Sequence, residues 1–157
     1  MRARTDGMLP AELAILADVD EHGVHIAHVD GDDDEPTFSF TIGLWHSFDQ
    51  PEVIVFGMPE EVAAELLNSL ADEAAENRKF LAETRHEGLL VGYPVRLVAL
   101  PRERYRDYLQ AAVWAYEGDD FPAVQLVWPD KQGRWPWEPG VREGFASAQP
   151  VPGRIAP

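Results

Sequence analysis

The stretch TFSFTIGLWHSFDQPEVIVFG, residues 37–57, decides the fold. Its first part, Thr37 to Leu44, places an apolar side chain at every second position, which predicts a β-strand. Its last part, Pro51 to Gly57, is a short continuous apolar run of the kind found in a central, buried strand. The residues between these parts form a short connection, so we expect two strands of one sheet.

The segments on either side of this stretch extend the pattern. Before it, GVHIAHV from Gly23 to Val29 alternates and carries β-branched residues, and the acidic link DGDDDEP follows. These features predict a β-hairpin with the strand at Thr37. After it, MPEEVAAELLNSLADEAAENRKFL changes to a helical period, and Pro59 suits the first helical position. The predicted apolar face of this helix consists of Val62, Ala63, Leu66, Leu67, Leu70 and Ala74.

The second half of the chain predicts further strands and one helix. Residues 89–100 indicate two short strands, or one strand broken near Gly92, and Pro101 opens a second helix that ends near Gly118. The last strand runs from Ala123 to Trp128. The order is β-β-β-α-β-β-α-β, so we expect a single α+β domain with a mostly antiparallel sheet and two amphipathic helices. We expect a peripheral segment at 1–19, the domain at 20–142 and a flexible tail at 143–157.

Composition excludes several classes of function. The chain has 157 residues and no cysteine, and 13 basic against 28 acidic residues give a net charge of −15. Because such an acidic surface repels phosphate groups, nucleic-acid binding and docking to anionic membranes are not expected. The N-terminus lacks the apolar core of a secretory signal, so a cytoplasmic location is expected.

Two polar clusters resemble metal sites without meeting their geometry. His22, His25 and His28 are spaced at three, but on a strand they point to alternating faces. The run DGDDDE starts like a calcium-binding loop but has Glu35 and Thr41 where glycine and glutamate are required. We therefore expect no metal site, and a solvated hairpin tip at the acidic run.

Two stretches carry the candidate functional residues. His46 lies beside Trp45, in a predicted loop next to a strand end, and is the histidine best placed for acid or base chemistry. The segment VQLVWPDKQGRWPWEPG, residues 124–140, holds three of the five tryptophans. Its prolines exclude a central strand, and Trp135 and Trp137 point the same way in an extended chain. Three alternatives stay open for these rings: a cap on the core, an interface or the wall of a ligand pocket.

Four sequence motifs resemble the DUF4262 family. They are FTIGLWHSFDQPEVIVFGMP, LLNSLADE, GYPVRLV and QLVWPDKQGRWPWEPG, within residues 23–140. The resemblance implies a small stand-alone bacterial protein and no established activity, cofactor or catalytic residue. Residues 37–70 also resemble the opening of flavin-reductase-like split barrels, in which a similar segment helps to bind FMN.

Two hypotheses of function follow. The first is a binding or accessory domain, either a monomer or a homodimer. Its aromatic cleft takes a small molecule or a protein partner. The expected cleft residues are Trp45, Gln125, Trp128, Asp130, Arg134, Trp135 and Trp137. The second is a small-molecule enzyme that uses His46 as acid or base, with a flavin-binding protein as one form of it.

Overall fold

A computed structural model describes residues 1–154 as one sheet of six strands with helices on both faces. The strands are β1 His25–Val29, β2 Phe38–Ile42, β3 Glu52–Phe56, β4 Thr84–Leu90, β5 Tyr93–Ala99 and β6 Ala123–Val127. The helices are α1 Pro10–His22, α2 Leu44–Phe48, α3 Glu60–Ala75, α4 Tyr105–Tyr108, α5 Gln110–Tyr116 and α6 Glu143–Ala148, with a 3-10 turn at Arg102–Arg104. No helix in the described part of the chain is long and apolar enough to cross a membrane.

The strand order across the sheet is β1-β2-β3-β6-β5-β4. Strands β3 and β6 are parallel neighbours, and the other four pairs are antiparallel. The predicted hairpin is confirmed, since His25 pairs with Ile42 and Val29 with Phe38. Residues 84–99 form a second hairpin that turns at Val91 and Gly92. The mixed α+β class and the mostly antiparallel sheet are thereby confirmed.

Each face of the sheet has its own apolar core. Helix α3 covers one face and packs on alternate residues of the central strands, among them Val53, Val55, Val124 and Leu126. Helices α1, α4 and α5 cover the other face over Phe40, Ile54 and Phe56. This division follows from the period of two along each strand, which sends neighbouring side chains to opposite faces.

Helix α3 is the helix that the sequence predicted, with small differences. It begins at Glu60, and Pro59 is the residue before the first turn. Ala71 joins the buried face, whereas Val62 is 48% exposed at its margin. The second predicted helix is divided, because Leu109 leaves the helical conformation with φ −107° and ψ 37°. Helices α1, α2 and α6 were not predicted.

The C-terminal segment, residues 143–154, lies over the part of the second face that no other helix covers. Gln149 inserts its side-chain amide at the end of β6, where it accepts from the Trp128 amide at 2.8 Å and donates to the Trp128 carbonyl at 3.0 Å. The Pro150 carbonyl accepts from the buried Gln125 at 2.7 Å. The described part of the expected flexible tail, residues 143–154, therefore contains α6 and packs over β5 and β6.

Gly153 provides a test of this close packing. A methyl group at this position would lie 2.2 Å from the Ala99 carbonyl oxygen and 3.0 Å from a Val98 methyl. We expect Gly153→Ala to lower the free energy of unfolding by about 1–3 kcal/mol because backbone must move to relieve the clash. Urea denaturation measures the change. Gly144→Ala is the control, because its added methyl group would meet open space within the same segment; an equal effect of both variants would contradict the packing.

Candidate functional site

The six candidate aromatic and turn positions do not form one cleft, because Trp45 and Trp128 lie at opposite ends of the sheet. Trp45 lies where β3 begins, and its amide donates to Glu52 at 3.1 Å. Trp128 lies where β3 and β6 end, and its indole donates to the Phe56 carbonyl at 2.9 Å. Since β3 and β6 run parallel, these are opposite ends of the sheet. Trp45 is therefore apart from Trp128.

His46 lies in α2 and not in a loop. Its side chain is exposed, and no other side chain among residues 1–154 hydrogen-bonds to its ring. Its backbone amide donates to the Tyr116 hydroxyl at 3.2 Å. A catalytic role for His46 stays a prediction, and no neighbouring group orients its imidazole in the described part of the chain.

Asp130 and Arg134 are brought together by a tight turn. The Asp130 carboxylate accepts from the Gln132 amide at 2.9 Å, from the Arg134 amide at 2.8 Å and from the Arg134 guanidinium at 3.0 Å. Desolvation raises the pKa of Asp130, but these hydrogen bonds outweigh it and the pKa lies below its ordinary value. This turn leads directly into Trp135.

Trp135 and Trp137 form a parallel stack, with ring centres 5.9 Å apart and planes inclined by 11°. Trp135 is 9% exposed and packs on Val98 and Val127. The rings thus cap the outer part of the sheet where no helix lies. Gln125 and Trp128 lie under the C-terminal segment and also serve packing.

A small cavity lies beside this stack, and we call it the arginine pocket. Its volume is about 130 Å³. It is lined by Glu83, Thr84, Arg85, Arg96, Leu97, Val98 and Arg154. Arg85 and Arg96 are cross-strand partners in β4 and β5, so their side chains lie on the same face of the sheet.

The tryptophan stack supports two of the three guanidinium groups. Arg96 lies 5.1 Å from the centre of the Trp135 ring and 5.8 Å from that of Trp137. Arg154 lies 3.7 Å from the Trp137 ring centre. Cation–π contacts of this kind fix the planes of the arginines without using their N–H groups.

These N–H groups have no protein partner within residues 1–154. No salt bridge or side-chain hydrogen bond there involves Arg85, Arg96 or Arg154. The Arg96 Nε is moreover buried without a hydrogen-bond acceptor. Buried donors are normally paired, so this N–H lacks the acceptor that a buried donor in a protein normally has.

The arginine pocket was missed at the sequence level. Its arginines are spread over residues 85–154, and the strand pairing that unites two of them is not visible along the chain. The sequence carries no specific signal of it, because Arg96 between the apolar residues Val95 and Leu97 fits the ordinary alternation of a strand.

A second, larger cavity has the opposite charge. Its volume is about 940 Å³, and it lies between the hairpin tip and the start of α3. Its acidic lining consists of Asp30, Asp32, Asp33, Asp34, Glu35, Glu60 and Glu61. His28 at its edge is held by Ser39 and Asp30, at 2.6 and 2.9 Å. Within residues 1–154 no group of three or more His, Asp or Glu side chains is arranged to hold a metal ion.

Glu52 is a buried carboxylate that the sequence analysis did not single out. Its Oε1 accepts from the Thr41 hydroxyl at 2.8 Å and the Leu44 amide at 3.1 Å. Its Oε2 accepts from the amides of Gly43 and Trp45, each at 3.1 Å, and from the Tyr116 hydroxyl. We call this set of contacts the Glu52 network. Through it, a side chain of β3 caps the start of α2.

The hydroxyl groups of Thr41 and Tyr116 both donate their hydrogen to Glu52. Thr41 accepts from the Val53 amide at 2.9 Å and Tyr116 accepts from the His46 amide, so both hydroxyl hydrogens point to Glu52. Burial raises the pKa of Glu52, and the hydrogen bonds from Tyr116 and Thr41 lower it in part. Burial and the adjacent carboxylate raise the pKa of Tyr116, which keeps this hydroxyl protonated as a donor.

Comparison with known proteins places the chain in a family. Residues 18–142 match the family model described as "Domain of unknown function (DUF4262)". The chain belongs to this family. The resemblance inferred from the motifs is thereby confirmed. No curated protein and no solved structure matches the chain. In this DUF4262 protein the match includes Arg85 and Arg96 and ends before Arg154.

Proposed function

We propose that this DUF4262 protein is a binding module for a small anionic molecule, which the arginine pocket holds. The observation that carries the proposal is the convergence of three arginines, without an acid partner in residues 1–154, on one cavity of a protein with a net charge of −15. On a surface so rich in acids, three arginines that line one cavity form a local concentration of positive charge. An anionic ligand would neutralise it.

The chemistry of the pocket fits an oxyanion. A guanidinium group presents planar, paired N–H donors that match the oxygens of a carboxylate or phosphate. The stacks on Trp135 and Trp137 hold Arg96 and Arg154 in place before the ligand arrives. A site ordered in advance loses less conformational entropy on binding.

The size of the pocket limits the ligand. A cavity of about 130 Å³ has the volume of about four water molecules at roughly 30 Å³ each. It therefore accepts a small acid or the charged head of a larger molecule. It is too small for a whole flavin, and the acidic lining of the larger cavity opposes the phosphate of FMN.

Calorimetric titration with propionate and with inorganic phosphate tests the proposal. We expect at least one of these anions to bind the wild-type protein, and Arg96→Ala to weaken that binding by about 10- to 100-fold, the effect of one charge-assisted hydrogen bond. Arg106→Ala removes the same charge from an exposed position outside the pocket and is the matched control. Absence of binding by both anions, or equal loss in both variants, would contradict the proposal.

A further inference from the structure

The arginine pocket contains a carboxylate as well as three guanidinium groups. Glu83 lines the same cavity as Arg85, Arg96 and Arg154. Opposite charges in so small a space would normally pair. Yet no salt bridge within residues 1–154 joins Glu83 to any of the three arginines.

Separate contacts hold the two signs of charge apart. Glu83 has φ 63°, and its Oε1 accepts from the Ala99 amide at 3.2 Å, which holds the carboxylate at the end of β5. Arg96 and Arg154 are held by the tryptophan rings. The pocket thus presents N–H donors for an anion and, on a separately held side chain, an acceptor for a cation or N–H group.

We infer that the ligand is a small zwitterion, in which a carboxylate lies against the arginines and an ammonium group lies against Glu83. This inference rests on the proposed anion-binding function and narrows its ligand class. A ligand with both charges places an opposite charge against each sign of charge in the pocket, whereas a simple anion leaves the Glu83 carboxylate close to its own negative charge.

Matched pairs of ligands test the inference. Calorimetry would compare glycine with acetate, β-alanine with propionate and γ-aminobutyrate with butyrate, since each pair differs by the amino group. We expect at least one zwitterion to bind about 10-fold or more tightly than its partner, the effect of one charge-assisted hydrogen bond. We expect Glu83→Gln to remove that preference and to leave monocarboxylate binding intact or stronger.

The outcomes separate this inference from the proposed function. If the monocarboxylates bind as tightly as their zwitterions in all three pairs, the zwitterion inference is wrong and anion binding stands. If none of the six compounds binds and phosphate does not bind, both are wrong. A preference that persists unchanged in Glu83→Gln would also overturn the inference. Glu87→Gln, a nearby exposed acid of β4 outside the pocket, is the charge-matched control.

Discussion

Replacing Trp135 with alanine is expected to lower the free energy of unfolding by about 3–5 kcal/mol, the usual cost of truncating a buried tryptophan. The ring is 9% exposed and covers Val98 and Val127 on a part of the sheet where no helix lies. Its removal opens that part of the core and takes away the surface that supports Arg96. Loss of ligand binding should therefore accompany loss of stability.

Trp45→Ala is the matched control for this prediction. Trp45 is 38% exposed at the other end of the sheet, so its loss should cost about 1 kcal/mol or less and leave binding by the arginine pocket unchanged. Urea denaturation followed by circular dichroism measures both variants. Equal destabilisation by the two changes would contradict the role of Trp135 as the cap of the outer sheet.

Glu52→Gln is expected to destabilise the protein by about 2–4 kcal/mol, because buried donors that lose an acceptor cost 1–3 kcal/mol each. The amide nitrogen of glutamine would face either the Leu44 amide or the amides of Gly43 and Trp45. In both orientations at least one backbone N–H meets another donor. The stability lost through these unpaired donors exceeds the stability gained by removing a buried charge, because the five donors remain desolvated.

The same urea experiment measures the Glu52 prediction. Glu65→Gln changes an exposed glutamate on α3 in the same way and should alter stability by at most about 0.5 kcal/mol. Tyr116→Phe removes one of the five donors and should fall between the two, at about 1–2 kcal/mol. Wild-type stability in Glu52→Gln would show that the Glu52 network does not hold α2 in place.

The parts of the fold that could be predicted from sequence are those specified locally. The hairpin of β1 and β2 and the helix α3 each follow from a hydrophobic period of two or of about four residues. Helix α2 has no such signal, because five residues are too few for a periodic pattern and its cap is Glu52 from β3. Contacts of this kind depend on the finished fold.

The candidate site shows the same division. The segment at residues 124–140 was identified from its tryptophans and prolines, but its sequence left open whether the rings cap the core or line a pocket. The structure shows that Trp135 packs on the core and that both rings also contact arginines of the adjacent cavity. Arg154 lies far along the chain from Arg85, and only the folded sheet and the C-terminal segment bring them together.

The side-chain NMR signal of Arg96 gives the most direct test of anion binding by the arginine pocket. In ¹⁵N-labelled protein, the Nε–H resonance that is absent from the Arg96→Ala spectrum belongs to this buried, unpaired donor. We predict that this resonance shifts progressively as propionate, β-alanine or phosphate is added, while that of Arg106 stays in place. An Arg96 resonance that does not move with any of the three compounds would contradict anion binding by the arginine pocket.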